Sequence, residues 1–333
     1  MKKFLFTMLP FILWSLLLMV AFPVAIDPYN VFHVDNIRDN GIEPNKNFIK
    51  TEYICRNPDR FDAFIFGSSR VTAIHAEKVE GYHFYNMTYS EGVPEEHRQN
   101  LEVMLARGVR PRLVVVGIDN ISFLIDPILH REDPLRSPYP VNRREKLDFY
   151  LNYFEPIMVV KSLEITYFMP RGIIHSRNLY DTGWELDYGI HTAVDWSQAQ
   201  PEWNMRYVNR SPQALEEIRA LKQLCDEHGI ELILFTNPMH PLTFAKAVEN
   251  GYGEFLRGVA EITGFYNFSG YNDITLNNDN YLETSHYKAE VGDLILDVLF
   301  SGKKDEHLIS QGFGLYVTPD NCQDFLEQVI GIR

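Results

Sequence analysis

The sequence predicts an α/β protein with a parallel sheet, preceded by an N-terminal transmembrane helix. Three observations predict this fold class. From residue 60 onward, short apolar runs alternate with helical patterns whose apolar residues share one face. Residues 4–26 form an uncharged apolar stretch. Hydrophobic residues make up 45% of the 333-residue chain, which is enough to bury a sizeable core.

The N-terminal stretch has the length of a membrane anchor, because about 20 apolar helical residues span a bilayer. Two interpretations stay open, an uncleaved anchor and a signal peptide that is removed. We favour the anchor, since secretory apolar regions are typically about 7–15 residues long and residues 22–26 offer no clean small-x-small cleavage site. Lys2 and Lys3 place the N-terminus in the cytoplasm by the positive-inside rule, so the body lies outside it, in the setting of a bacterial cell envelope.

The body of the protein is acidic. The chain has a formal net charge of −14, and Lys2 and Lys3 are the only charged residues before Asp27, so the part from Asp27 onward carries −16. Such a surface repels phosphate backbones and excludes nucleic acid as a main partner.

Five apolar runs are predicted to be buried strands, and four segments have helical patterning. The strands are 63–66, 83–87, 113–116, 231–235 and a less apolar fifth at 264–268. The helices are 94–107, one from Ser211-Pro212 to Gly229, one around 291–299, and one that begins at Thr318-Pro319. The predicted organisation is an anchor (1–26), a juxtamembrane segment (27–60), a domain (61–300), and a C-terminal tail with one helix (301–333).

A long segment, about 121–210, separates the third strand from the fourth and is predicted to be a helical and irregular insertion over one end of the sheet. It contains Trp184, Trp196 and Trp203, three of the four tryptophans. The aromatic residues would serve either as a platform for sugar rings or as the small core of the insertion itself, and the second interpretation is favoured.

Several chemistries lack support in the sequence. No dinucleotide-binding or Walker loop follows the first strand, and no pair of cysteines has the spacing of a zinc site. Cys225 and Cys322 fall on apolar helical faces, which is typical of small core residues. We therefore expect neither a cofactor nor a metal.

Polar residues follow the predicted strands, and ligands of open parallel sheets bind outside the carboxyl ends of strands. The residues concerned are Gly67-Ser68-Ser69-Arg70 after the first strand, Glu91-Gly92 after the second, Asp119-Asn120 after the third, Asn237 and His240 after the fourth, and Glu283-x-x-His286 before the helix around 291–299. A hydroxyl, amides, carboxylates and a histidine thus converge on one edge of the sheet.

This order resembles the SGNH (GDSL-type) hydrolase superfamily over residues 61–300. The resemblance implies a flavodoxin-like, three-layer sandwich. It also implies that Ser69 is the nucleophile, His286 the general base, and Glu283 the carboxylate that orients it. Gly92 roughly matches the glycine of the oxyanion hole. The Gly-Ser-Ser tripeptide and the single-pass anchor look most like membrane-anchored branches, such as the D-alanyl-lipoteichoic acid transfer and alginate acetylation proteins.

Three positions depart from that family pattern. Glu283 replaces an aspartate, a chemically conservative change that makes the side chain one methylene longer. Ser68 replaces another aspartate, and Asp119 stands where an asparagine donates to the oxyanion, so a carboxylate there would repel the developing charge. Either Asn120 supplies the amide, or the hole consists of the N–H groups of Ser69 and Gly92, or the site does not work.

Further residues at this edge have open roles. Arg70 would neutralise Asp119, hold an anionic substrate, or form an ordinary salt bridge. Asp119 itself, Asn237 and His240 are further candidates for contact with substrate, although a proline-flanked turn explains Asn237 and His240 equally well.

The leading functional prediction is an extracytoplasmic, membrane-anchored serine esterase or acyltransferase that acts on acyl esters of a cell-surface glycan or polymer. The expected partners are an acylated polysaccharide or lipid-linked polymer, the membrane itself, and a membrane acyl-transfer protein. The acidic body favours a neutral or zwitterionic glycan. The alternatives are a non-catalytic binding or scaffold module in the assembly of envelope polymers, which Asp119 favours, and a flavodoxin-like surface domain of unrelated role.

Overall fold

The structure is a computed structural model that describes residues 2–34, 44–131, 133, 135–154, 156–168 and 194–331. Trp184 of the aromatic insertion lies outside the described residues. The α/β class and the mainly parallel sheet that the sequence predicts are confirmed.

One sheet organises the body, with strands in the order β2-β1-β3-β4-β5-β6. Its first five strands run parallel, and β6 pairs antiparallel with β5. The strands are β1 Ala63–Gly67, β2 Phe84–Asn86, β3 Leu113–Ile118, β4 Glu231–Thr236, β5 Phe265–Asn267 and β6 Leu315–Val317. The segment 301–333 was expected to be a tail with one helix, and it instead adds an edge strand to the sheet.

The described helices include the four predicted segments, with shifted ends, and several more. They are α1 Lys2–Ile26, α2 Lys46–Arg56, α3 Pro94–Ala106, α4 Ile121–Leu124, α5 Arg143–Leu151, α6 Pro156–Phe168, α7 Ser211–Glu227, α8 Pro241–Glu249, α9 Tyr252–Ile262, α10 Ala289–Phe300, α11 Glu306–Ser310 and α12 Cys322–Phe325. The last helix therefore begins later than Thr318, and it continues as a π-helical turn, Leu326–Ile330.

Two apolar cores cover the two faces of the sheet and make the body three-layered. Phe64, Phe66 and Val116 point into the core beneath α2, α3, α7 and α9. The alternate residues Ile65 and Val115 point to the opposite core beneath α10. This alternation follows from the pleat of a strand, and burial of both faces explains why β1 and β3 are continuous apolar runs.

The connection from β1 to β2 is short and holds two 3-10 helices, Ser69–Ala73 and Ala76–Lys78. We call Ser69–Ala73 the Ser69 turn. Asn86 at the end of β2 holds this turn, because its Nδ2 donates to the carbonyl of Val71 at 3.0 Å.

Residues 44–62, which precede the sheet, are part of the folded body. Asn45 caps α2 by accepting from the N–H of Phe48 at 2.9 Å. Lys50 on α2 is buried, and its Nζ donates to the carbonyl oxygens of Asn86 and Thr88 at 3.1 and 2.8 Å. The part Thr7–Ile26 of α1 is long and apolar enough to cross a membrane, although an N-terminal signal sequence would satisfy the same criterion.

Helix α10 approaches the Ser69 turn through Gly292. A Cβ atom at Gly292 would lie 2.4 Å from the carbonyl oxygen of Ala73. Because this neighbour is a backbone atom, the clash could be removed only by moving the helix or the turn. The glycine thus lets α10 lie directly on the Ser69 turn.

We expect Gly292→Ala to lower the free energy of unfolding by about 1–3 kcal/mol, because overpacking forces the helix away from the turn. Urea unfolding of the full chain in detergent measures the change. Glu290→Ala, at an exposed position of the same helix, is the control. Alanine has a higher helix propensity than glycine, so without the close contact the variant would be as stable as wild type or more stable. That result would contradict the close packing.

Candidate active site

The candidate site lies where the chain reverses its direction of travel across the sheet. From β1 the chain moves outward to β2, and then returns to the other side of β1 to form β3. Loops that leave the carboxyl ends of two such neighbouring strands diverge and create a crevice. Ser69 follows β1 and Asp119 follows β3, so both lie at this point.

Ser69, His286 and Glu283 form a continuous hydrogen-bonded chain. The Oγ of Ser69 lies 2.8 Å from Nε2 of His286. On the other side of the ring, Nδ1 of His286 is hydrogen-bonded to Oε1 of Glu283. All three residues are partly exposed, so solvent reaches the group. The structure therefore brings together the three residues that the sequence analysis assigned to catalysis.

The carboxylate of Glu283 is ionised in this arrangement. Burial by itself raises the pKa of Glu283, but the hydrogen bond from His286 and the N–H of Ser285, which donates to Oε2 at 2.6 Å, lower it below its ordinary value. With Nδ1–H directed to Glu283, the Nε2 atom of the neutral ring is free to accept from the Ser69 hydroxyl.

Asp119 is a buried acceptor at the centre of the site. Its Oδ2 accepts from the Ser68 hydroxyl at 2.7 Å and from Asn237 Nδ2 at 3.0 Å, and it lies 2.8 Å from Nη1 of Arg70. Its Oδ1 accepts from the N–H of Ile121 at 2.9 Å. The carboxylate is thus saturated by internal donors and is fully buried.

Arg70 joins four parts of the chain from a buried position. Besides Asp119, its Nη2 pairs with Glu202 of the insertion at 2.8 Å, and its Nε donates to the carbonyl of Ser285 at 2.8 Å. Burial alone would lower the pKa of Arg70, but the charges of Asp119 and Glu202 raise it, so the side chain stays cationic. Of the three roles considered for Arg70, the structure supports internal neutralisation of Asp119.

The residues considered for an oxyanion hole have different surroundings. The first hydrogen bond of the Ser69 turn runs from the N–H of Val71 to the carbonyl of Ser68 at 3.0 Å, so the N–H groups of Ser69 and Arg70 precede it and are not used by the turn. They are the amides closest in sequence to the Ser69 hydroxyl.

Gly92 and Asn120 are engaged elsewhere. The N–H of Gly92 donates to the carbonyl of Tyr89 at 3.3 Å, and a Cβ atom at this position would lie 2.3 Å from the carbonyl oxygen of Gly67. The glycine is therefore required by close backbone packing beside β1. Asn120 is fully buried, and its Nδ2 lies 3.5 Å from Oε2 of Glu202.

Asn237 and His240 make internal contacts. Asn237 is buried between Asp119 and the Tyr287 hydroxyl, which donates to its Oδ1 at 3.0 Å. His240 caps α8, with Nδ1 accepting from the N–H of Leu242 at 3.3 Å. Burial lowers the pKa of His240, although Asn278 and Glu283 act in the opposite direction, so its ring is neutral at pH 7.

The insertion returns over the site and packs on it. Trp196 stacks on the ring of His240, with centroids 5.2 Å apart. The carbonyl of Gln200 accepts from the Thr284 hydroxyl at 2.7 Å, and the N–H of Glu202 donates to Thr243 Oγ1 at 2.9 Å. Trp196 therefore packs on the body of the protein and not in a separate core of the insertion. Sequence reasoning missed Glu202 and Thr284, because no local pattern marks a contact between segments so far apart.

A second buried network adjoins the site behind the loop after β2. His130 is fully buried, and its Nδ1 lies 2.8 Å from Glu96 and its Nε2 3.4 Å from Glu91. Burial alone would lower the pKa of His130, but these two carboxylates raise it to about 9. Arg136 and Arg206 also pair with Glu91, at 3.5 and 3.1 Å.

Neither a protein-family model nor a curated protein sequence matches the chain. Any functional assignment therefore depends on the site itself. Among the described residues, no group of three or more His, Cys, Asp or Glu side chains is placed to hold a metal ion.

We expect Asp119→Asn to lower the free energy of unfolding by about 3–5 kcal/mol, because it removes the fully buried anion that pairs with the guanidinium of Arg70. Glu202→Gln is the matched control, since Glu202 is partly exposed and its loss should cost less. Chemical unfolding of the full chain compares the two variants. Equal losses would mean that Asp119 is not the main counter-charge of Arg70.

The His130 network should make stability depend on alkaline pH. Because the pKa of His130 rises from 6.5 to about 9 on folding, its contribution is complete below pH 6.5 and is lost as the pH rises through about 9. The loss is on the order of 3 kcal/mol. Thermal unfolding between pH 6.5 and 9 measures it, and His130→Gln should flatten the profile. A wild-type profile as flat as that of the variant would show that His130 is not held as a cation.

Proposed function

We propose that the chain is a membrane-anchored, extracytoplasmic SGNH-like serine esterase or acyltransferase that acts on acyl esters of a cell-surface glycan or polymer. The observation that carries the proposal is the contact chain from the Ser69 hydroxyl through His286 to Glu283 at the carboxyl edge of the sheet. A serine hydroxyl is a weak nucleophile, and an adjacent oriented base is what activates it.

The chemistry begins with attack of the Ser69 oxygen on the carbonyl carbon of an ester. The hydroxyl proton moves to Nε2 of His286, and the carboxylate of Glu283 stabilises the imidazolium that forms. When the tetrahedral intermediate collapses, the C–O bond to the leaving alcohol breaks and the alcohol takes the proton from Nε2. An acyl group then remains on Ser69.

The developing oxyanion needs hydrogen-bond donors that are not already paired with a carboxylate. The N–H groups of Ser69 and Arg70 at the start of the Ser69 turn are suited to this role, because the turn itself does not use them. Asp119 does not interfere, since its carboxylate is neutralised by Arg70 and saturated by internal donors. In this proposal the aspartate replaces the family asparagine as a structural residue.

The acceptor of the acyl group decides between the two reactions. Water bound by the imidazole of His286 would give a free acid, whereas a sugar hydroxyl in the same place would give a new ester. The steps are otherwise identical, with His286 removing the proton of the acceptor. An acidic body favours a neutral or zwitterionic glycan over a polyanion.

The competing proposal, a non-catalytic binding module, drew its support from a carboxylate in the oxyanion position. The internal bonds of Asp119 remove that support. The aromatic insertion is its second argument, and the contacts of Trp196 with His240 account for one of those rings within the protein.

Labelling with a fluorophosphonate probe tests the proposal. We expect the full-length protein in detergent to be labelled covalently and Ser69→Ala to lose labelling, because the probe reacts with an activated serine. Ser68→Ala is the matched control, since the Ser68 hydroxyl is buried and donates to Asp119, and this variant should keep its label. Gel fluorescence with a thermal-unfolding check measures both variants.

Two results would contradict the proposal. Equal labelling of wild type and Ser69→Ala would place the reactive group elsewhere. Absence of labelling in the folded wild-type protein would show that Ser69 is not activated, and the binding module would then be the better assignment.

A further inference from the structure

Helix α6 of the insertion is apolar on two opposite faces. Its inner face is buried, and its outer face leaves large apolar side chains 47% to 56% exposed. The inner residues are Met158, Ser162 and Ile165, and the outer residues are Ile157, Val160, Leu163 and Tyr167. A helix that is apolar all round is normally covered on every side, by a protein core or by lipid.

The inner face of α6 lies against the N-terminal helix α1. In the last turns of α1, Pro23 is buried and Phe22 is partly buried, whereas Phe11, Trp14 and Leu18 remain 59% to 66% exposed. The 3-10 turn Asn152–Phe154, from which α6 starts, also contacts α1. The outer face of α6 therefore continues the exposed apolar surface of α1, and it begins at the end where α1 joins the body.

Aromatic side chains fix this junction. Tyr29 and Phe32, just after α1, pack on Tyr150, Tyr153 and Phe154 with ring centroids 5.7 to 6.5 Å apart. Tyrosines and other aromatic residues are enriched where a membrane protein passes from hydrocarbon to water. The base of α6 is thus tied to the point where α1 would leave the bilayer.

The length of α6 limits its position. Thirteen residues give a helix about 20 Å long, short of the ~30 Å hydrocarbon thickness, so α6 does not span the bilayer. Its two charged side chains, Lys161 and Glu164, pair with each other at 2.9 Å and are partly exposed. A paired lysine with a long aliphatic stem suits the boundary between headgroups and acyl chains.

We propose that α6 is a second membrane element, which lies beside α1 in the outer leaflet and presents Ile157, Val160, Leu163 and Tyr167 to phospholipid acyl chains. Lipid is the occupant because this surface is continuous with the exposed apolar surface of α1, and the inference therefore rests on the proposed membrane anchor. The contact also favours retention of α1, since loss of α1 would uncover the inner face of α6 as well.

A fluorescence-quenching experiment on the full-length protein tests the position of α6. Single cysteines are introduced as Val160→Cys on α6, Leu17→Cys on α1 as the bilayer reference, and Glu216→Cys on the exposed face of α7 as the aqueous reference. The three native cysteines are buried, and burial raises the pKa of Cys55 to about 11 and that of Cys225 to about 12, so the new thiols react first with an NBD label.

The labelled proteins are reconstituted in vesicles of phosphatidylglycerol and phosphatidylethanolamine, with and without brominated acyl chains. We expect brominated lipid to reduce NBD emission about two-fold at positions 160 and 17, and to leave position 216 unchanged, because bromine quenches only dyes within the acyl region. Val160 is exposed, so its substitution leaves the core intact, and thermal unfolding verifies this.

Three outcomes would overturn the proposal. If brominated lipid quenches the dye at position 17 but leaves the emission at position 160 unchanged, as at position 216, then α6 lies in water. Emission at 160 that depends on the protein-to-lipid ratio, with cross-linking between copies at this position, would make a second copy the occupant. Absence of quenching at position 17 would show that α1 itself lies outside the bilayer, and the inference would fall with it.

Discussion

The buried ion pair between Arg70 and Asp119 is the interaction on which the rest of the site depends. Arg70 directly follows Ser69, and its Nε donates to Ser285, which directly precedes His286. One side chain therefore fixes the positions of both the hydroxyl and the imidazole. A buried charge is costly unless it is paired with an opposite charge, and Asp119 and Glu202 provide the two anions that pair with Arg70. The same pair joins β1, β3, the insertion and the His286 loop, so the candidate triad and the fold are stabilised by one network.

That network also accounts for Ser68 and Asp119, two of the positions at which the sequence departs from the SGNH pattern that it resembles. Ser68 and Asp119 are hydrogen-bonded to each other, with Asn237 as a third partner, and none of them faces solvent. A carboxylate at position 119 would be harmful as a neighbour of an oxyanion, but it is useful as the counter-charge of a buried arginine. Ser68, Asp119 and Arg70 thus form one structural feature, and the hydrogen bonds of this feature do not involve the backbone N–H groups of Ser69 and Arg70.

The sequence predicted the parts of the fold that depend on local patterns. β1, β3 and β4 are five- or six-residue apolar runs in the middle of the sheet, and they are found where expected. β6 has three residues and depends on pairing with β5, which no local pattern encodes. Helix α9 has an apolar face, but Gly253 and Gly258 lower its intrinsic helix propensity, so its pattern was not recognised. At the site, strand ends located Ser69 and Asp119, and the start of the helix around 291–299 located His286. Glu202, by contrast, comes from an insertion whose path is set by tertiary contacts alone. The burial of Arg70, on which its role depends, is likewise a property of the assembled layers.

The insertion connects the two features that set this chain apart, its apolar N-terminal helix and its serine-containing site. It leaves the sheet at Asn120, beside Asp119, and its helix α6 packs on α1. It then returns with Trp196 against His240 and Glu202 against Arg70. A displacement of α1 relative to the body would therefore act on the same segment that holds the wall of the site. In the proposed membrane-bound arrangement, α6 and the aromatic residues after α1 would do more than tether the body to the membrane, because they would set the orientation of the carboxyl edge of the sheet relative to it. A substrate attached to the membrane would meet a site already held at a fixed height and angle, and it would need no separate docking element to find it.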